Sequence, residues 1–136
     1  MRNVLLLSII ALPIMLVLDL TWTGVVAYQF YVTELGALYS PTLVLPAIIL
    51  FYIIYILGLS YFVISPGVKS HSLRRTVLNA AFFALVAYGT YDLTSLGITT
   101  GWPVLLTTVD MSWGVFCAIV TATLTYLLAT RVFKLG

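Results

Sequence analysis

The sequence predicts an all-α integral membrane protein, four transmembrane helices in an up-down bundle with both termini cytoplasmic. Three observations lead there. The 136-residue chain is 62% hydrophobic and 7% charged, against about 25% charged for an ordinary soluble domain, and its mean hydropathy is +1.17. A bilayer core about 30 Å thick takes roughly 20 apolar residues per helix. The chain divides into four such lengths with short connections, a single domain over residues 1–136. Finally, Lys and Arg fall at Arg2, at Lys69, Arg74 and Arg75, and at Arg131 and Lys134. These are the N-terminus, the middle connection and the C-terminus, which an up-down four-helix chain brings to one side. Cytoplasmic segments collect Lys and Arg, so that side is expected to face the cytoplasm of an inner membrane.

The first helix is expected from about Asn3 to Tyr31, with Pro13 marking a kink. Its start, MRNVLLLSIIALPIML, has the basic and apolar regions of a signal peptide. The apolar run continues well beyond the roughly 7–15 residues of such a core, however, and a retained span is expected. A loop carrying Glu34, Gly36, Ser40 and Pro41 follows, and the second helix runs from about Thr42 to Ile64. Ser65-Pro66-Gly67 is a breaker signal that should end it. The polar stretch Lys69 to Arg75 leads to a third helix from about Thr76 to Leu96. Residues 97–101 turn the chain, and Trp102-Pro103 opens the fourth helix, over about 103–130, with proline at a favoured early position.

The carboxylates are the unusual feature of these spans. The chain has four acidic residues, and three of them, Asp19, Asp92 and Asp110, lie in different helices. At about 1.5 Å per helical residue they stand roughly 25–32 Å from the basic ends of their helices, so all three share the outer half of the membrane. The second helix passes Tyr52 and Tyr55 through a comparable depth. Residues three or four apart share a helical face, which groups Asp19 with Trp22 and Thr23, Asp92 with Tyr88, and Asp110 with Trp113 and Gly114. Tyr91 directly precedes Asp92. Gly24, Gly89 and Gly114 are small enough to let helices approach closely. The simplest packing turns the acids inward, to a cavity rimmed by carboxylates and aromatic rings and open or nearly open to the outside.

A charged carboxylate is costly in the membrane, about 2.5–3.5 kcal/mol at its centre, and no Lys or Arg lies at this depth to offset three of them. Either protons remain on one or more of the acids, or a cation sits among them. The plainer expectation for an Asp in a span is a protonated strut that hydrogen-bonds to a neighbouring helix. Trp102, Tyr28, Tyr31 and Tyr39 are expected to be interface anchors. His71 sits in the basic connection as a solvated residue, and Cys117 is the sole cysteine, in apolar surroundings. The sequence contains no glycine-rich phosphate loop, no Ser/His/Asp set and no zinc-type spacing, and no nucleic-acid partner is expected.

The pattern D-L-T-x-x-G occurs at Asp19 to Gly24 and again at Asp92 to Gly97. Two hairpins related by an axis along the membrane normal would give such a parallel repeat. The similar D-x-S-W-G of the fourth helix runs in the opposite direction and lies outside that scheme.

The order of these residues carries a resemblance. Asp19, Trp22 and Gly24, then Leu35, Gly36 and Leu38, then Ala87 to Thr94, then Trp102 and Pro103, then Asp110, Trp113 and Gly114 follow one another along essentially the whole chain. This order resembles a bacterial family of small four-helix predicted membrane proteins catalogued as a domain of unknown function. The resemblance implies the same fold and points to the same residues, without naming a reaction.

Three functions follow as expectations. The first is binding or transport of a proton, a cation or a small amine by Asp19, Trp22, Tyr52, Tyr55, Tyr88, Tyr91, Asp92, Asp110 and Trp113, with a homo-oligomer widening the pathway. Carboxylates supply the charge and aromatic faces attract cations. The second is a membrane enzyme acting on a lipid or isoprenoid by Asp acid and base chemistry, in which Asp19, Asp92 and Asp110 would hold any hard cation such as Mg²⁺. The third is an accessory subunit whose polar groups serve helix association.

Overall fold

The protein is described by a computed structural model over residues 2–40 and 42–135. Four helical segments are long and apolar enough to cross a membrane: Arg2–Val26, Leu45–Lys69, Leu73–Ile98 and Val104–Val132. Among the described residues there is no strand. Pro41, expected in the first loop, lies outside the described residues.

The first span is α1 (Arg2–Thr21) followed by a π-helical turn, Trp22–Val26. Pro13 lies inside α1 without ending it. The expected helix to Tyr31 is instead broken at Ala27, whose φ of −108° and ψ of 8° leave the helical region. At this widened turn the Thr23 hydroxyl donates to the Asp19 carbonyl at 2.7 Å, and Ala27 N–H reaches back to the Trp22 carbonyl at 2.7 Å. Side-chain competition for backbone acceptors favours such irregularity. A separate helix, α2 (Tyr28–Leu35), takes in Glu34 and stops at Gly36, whose φ of 54° suits glycine.

The second span corrects the expected break at Ser65-Pro66-Gly67. Helix α3 (Leu45–Leu59) continues through a π turn, Ser60–Ile64, into α4 (Ser65–Lys69). Proline lacks an N–H and crowds the preceding turn. Here that turn is the widened one, with Ser65 N–H bonded to the Ser60 carbonyl, so the helix passes Pro66. The connection shrinks to Ser70, His71 and Ser72, and His71 makes its turn with φ of 51°. Helix α5 (Leu73–Ile98) starts three residues before the expected Thr76 because Ser72 caps it, its hydroxyl accepting from Arg75 N–H at 3.1 Å. Pro103 caps α6 (Val104–Leu127) from an extended conformation rather than joining its first turn. A last π turn, Leu128–Val132, follows.

Helix α6 packs against α1, α5 and the π turn of the second span, and α5 with α6 forms the most extensive helix pair. Small side chains line the interior of these two helices: Ala80, Ala84, Ala118 and Ala122 are all at most 1% exposed. Leu7, Met15, Leu59, Val63 and Ile64 complete the core from the other spans. The outer faces are apolar as well, with Ile9, Val17, Ile54, Phe62 and Phe82 exposed. Lipid provides no hydrophobic drive between helices, so close packing and polar contacts must hold the bundle together.

Candidate functional site

Asp19 lies near the end of α1 and is buried. Its carboxylate accepts from the Tyr52 hydroxyl on α3 and from the Trp113 indole N–H on α6, at 3.0 Å. One side chain thus ties three spans together. Asp110 stands one turn before Trp113 on α6, half-buried, and accepts from the Tyr31 hydroxyl at 2.8 Å. Tyr31 in turn accepts from the Trp22 indole N–H at 3.1 Å. The rings of Trp22 and Trp113 are stacked, with centroids 4.7 Å apart and planes within 9°. Asp19 and Asp110 are therefore linked through two tryptophans, one donating to Asp19 and the other to the phenol on Asp110.

Asp92 on α5 differs from both. It is 0% exposed, and neither carboxyl oxygen has a hydrogen-bond partner among the described donors. The group it faces is the Asp110 carboxyl, near enough for one to donate to the other when protonated. Two carboxylates that close do not both ionise readily, and a proton held between them relieves the conflict. Tyr31 lies beyond the end of the first span, and burial pushes its phenol above the ordinary value. The nearby Asp110 carboxylate adds to that, while the Trp22 hydrogen bond pulls the other way. Tyr31 consequently remains a donor to Asp110 across neutral and mildly alkaline pH.

Several sequence expectations are corrected. Tyr31, expected to be an interface anchor, joins the cluster. In an unbroken α-helix nine residues turn through roughly 900°, which would put Tyr31 on the face opposite Trp22. The π turn and the break at Ala27 bring it back. Tyr91 is exposed and packs edge-on against Trp102 at 5.6 Å. Tyr88 lies with its ring against Gly114, where an added Cβ would overlap it, and meets Tyr55 edge-on at 6.0 Å. Gly89 lies near Met111, whereas Gly24 meets nothing and serves no close approach. The two members of the D-L-T-x-x-G repeat are not equivalent, since Asp19 accepts two hydrogen bonds and Asp92 none.

Two grooves open on the surface of the spans. A groove between α5 and α6 is walled by Leu85, Leu93, Leu96, Val104 and Met111, with Thr107, Thr108 and Ser112 among its lining. Another, shallow and apolar, runs past Val17, Leu18 and the stacked pair Trp22 and Trp113. Neither groove has a carboxylate in its wall. Nor do three His, Cys, Asp or Glu side chains gather to hold a metal among the described residues, so Asp19, Asp92 and Asp110 form no cation centre of that kind. They form instead an acceptor satisfied by phenol and indole, and a carboxyl pair facing each other.

No curated protein and no solved structure matches the chain. A family model described as a predicted membrane protein, DUF2177, matches residues 4–127. With that match over nearly the whole chain and four apolar spans behind it, the chain belongs to the DUF2177 family of predicted membrane proteins.

Proposed function

We propose that this membrane protein binds and exchanges a proton at the Asp92 and Asp110 carboxyl pair, in the service of moving protons or a cation across the membrane. The observation that carries this is Asp92: a fully buried carboxyl without a donor among the described residues, set against a second carboxyl. Such a group is costly when charged and unpaired, and a shared proton supplies the missing hydrogen bond. Asp19 plays a different part. Its two donors suit a carboxylate that stays in place and fixes Tyr52 and Trp113. Tyr31 adjusts the pair from outside by donating to Asp110. A cation or small amine would bind by displacing the shared proton, so its affinity would fall in acid. The basic residues all stand at the opposite ends of the helices, which supports a reading in which the termini are cytoplasmic and the pair faces the outer side of an inner membrane.

The test is infrared spectroscopy of the purified protein at neutral pH. A protonated carboxyl gives a carbonyl band that shifts on transfer to D₂O. That band is expected in the wild type and should be absent from Asp92→Asn, with Asp19→Asn retaining it. A wild-type protein without the band, or an Asp92→Asn protein that keeps it unchanged, would remove the basis of the proposal.

A further inference from the structure

Below the carboxylates, towards the basic end of the bundle, lies a second set of buried polar groups that the cluster does not use. Tyr55 is 5% exposed, and Ser60, Thr121 and Thr125 are each 0% exposed. Their hydroxyls meet no nitrogen or oxygen partner among the described residues, Thr121 reaching only the weakly hydrogen-bonding Cys117 thiol. The contrast with the other hydroxyls is informative. Ser8, Thr76, Thr107 and Thr130 each donate to the carbonyl four residues earlier in their own helix. Thr121, Thr125 and Ser60 point elsewhere, into the interior.

These groups also follow one another in space. On α6, Asp110, Gly114, Cys117, Thr121 and Thr125 recur at three- or four-residue steps, one face of one helix. The Tyr55 hydroxyl lies near the Cys117 thiol, and Thr121 adjoins that thiol. Ser60 opens the π turn that packs against α1, α5 and α6. Counted from Lys69 or Arg131 at about 1.5 Å per residue, Tyr55 stands roughly 21 Å from the basic end, Thr121 and Ser60 about 14–15 Å, and Thr125 about 9 Å. Steps of about 6–7 Å exceed a direct hydrogen bond and also the roughly 5.6 Å that one water bridges between two hydroxyl oxygens, so each step takes one to two waters.

Buried polar groups in native proteins are almost always partnered, and internal water is the usual partner when no protein group reaches them. A threonine could turn to its own backbone, but a tyrosine hydroxyl at the far end of its ring has no such recourse. We infer that the bundle interior binds a file of ordered waters from Tyr55 past Cys117, Thr121 and Ser60 to Thr125. It continues from the level of the carboxyl cluster towards the basic end. Taken with the proposed proton exchange, on which its role but not its existence rests, this file is the route by which protons reach the carboxyl pair from the basic side.

Hydroxyl radicals generated by X-ray radiolysis of water label buried side chains that touch bound water. On wild-type protein in lipid nanodiscs, Cys117 and Tyr55 should be oxidised several-fold faster than Met15, each rate being normalised to that of the same residue in the unfolded chain. Met15 is the control because it is equally buried, at 1% exposed, and belongs to the apolar core. Thr121→Val keeps the side-chain shape and removes the hydroxyl, so it should slow labelling of Cys117 several-fold. Ser60→Ala should do the same through the other wall. If Cys117 and Tyr55 are labelled no faster than Met15, the interior is dry and the inference is overturned. The same holds if both variants leave Cys117 labelling unchanged. Radical labelling does not depend on the protonation of Asp92, so it can succeed while the infrared band is absent, and fail while the band is present.

Discussion

Gly114 shows how finely a single position is set in this bundle. A Cβ built there falls within the ring of Tyr88, and that ring is held in turn by Tyr55. Overpacking of this kind typically costs about 1–3 kcal/mol. Gly24 belongs to the same sequence pattern, yet has open space around it. Gly114→Ala should therefore lower the midpoint of unfolding in a detergent titration, whereas Gly24→Ala should leave it unchanged or raise it, since alanine favours helix over glycine by up to about 1 kcal/mol. Equal effects from the two substitutions would contradict the packing. The sequence marked both glycines alike because spacing identifies a face, not the ring that lies against it. The acids were more legible. An aspartate in an apolar span is conspicuous whatever surrounds it, and Trp113 shares a face with Asp110 by spacing alone. That Trp113 donates to Asp19 rather than to Asp110 depends on how two helices meet, which no local pattern carries.

At the scale of elements, the irregular turns are what periodicity missed. Each apolar run was visible, but a π turn adds one residue to a helix without changing its composition. The turn at Trp22–Val26 decides where Tyr31 points. Val25, in that turn, is 77% exposed, so its deletion should restore α-helical register with little loss of packing. The segment beyond it would rotate by about 100° and carry Tyr31 off Asp110. The phenol supplies the readout. Its ordinary value is about 10, and burial beside Asp110 raises it. In the unfolded chain it loses its proton first, so its contribution to stability is whole below about pH 10 and is lost as pH climbs through the higher folded value. In an alkaline absorbance titration of the folded protein, the Val25 deletion should gain one tyrosine's worth of phenolate near the ordinary value. Adding Tyr31→Phe to the deletion should remove that gain. A titration unchanged by the deletion would mean that the π turn does not set the position of Tyr31.

For the molecule as a whole, the segregation of charge was read most easily, because it needs no knowledge of packing. Four spans return the chain to the side it started from, and Lys and Arg mark the same ends of all four. The carboxyl cluster occupies the other half. Between them the core is made of alanines, aliphatic side chains and the buried hydroxyls of Tyr55, Ser60, Thr121 and Thr125. Basic side chains thus stand on the surface at one end of the bundle and buried carboxyls at the other, an asymmetry that gives the molecule a direction across the membrane. That direction can be fixed by labelling. Cys117 is buried and should not react with a bulky, membrane-impermeant maleimide, so the native chain is its own background. Ala37 and Ser70 are exposed at opposite ends of the first two spans. In intact cells, Ala37→Cys should react with the reagent, and Ser70→Cys should react after the membrane is opened. The reverse pattern would put the basic ends outside and the carboxyl pair on the cytoplasmic side. Equal labelling of both positions in intact cells would point to a chain inserted both ways round, against the six-to-none distribution of its basic residues.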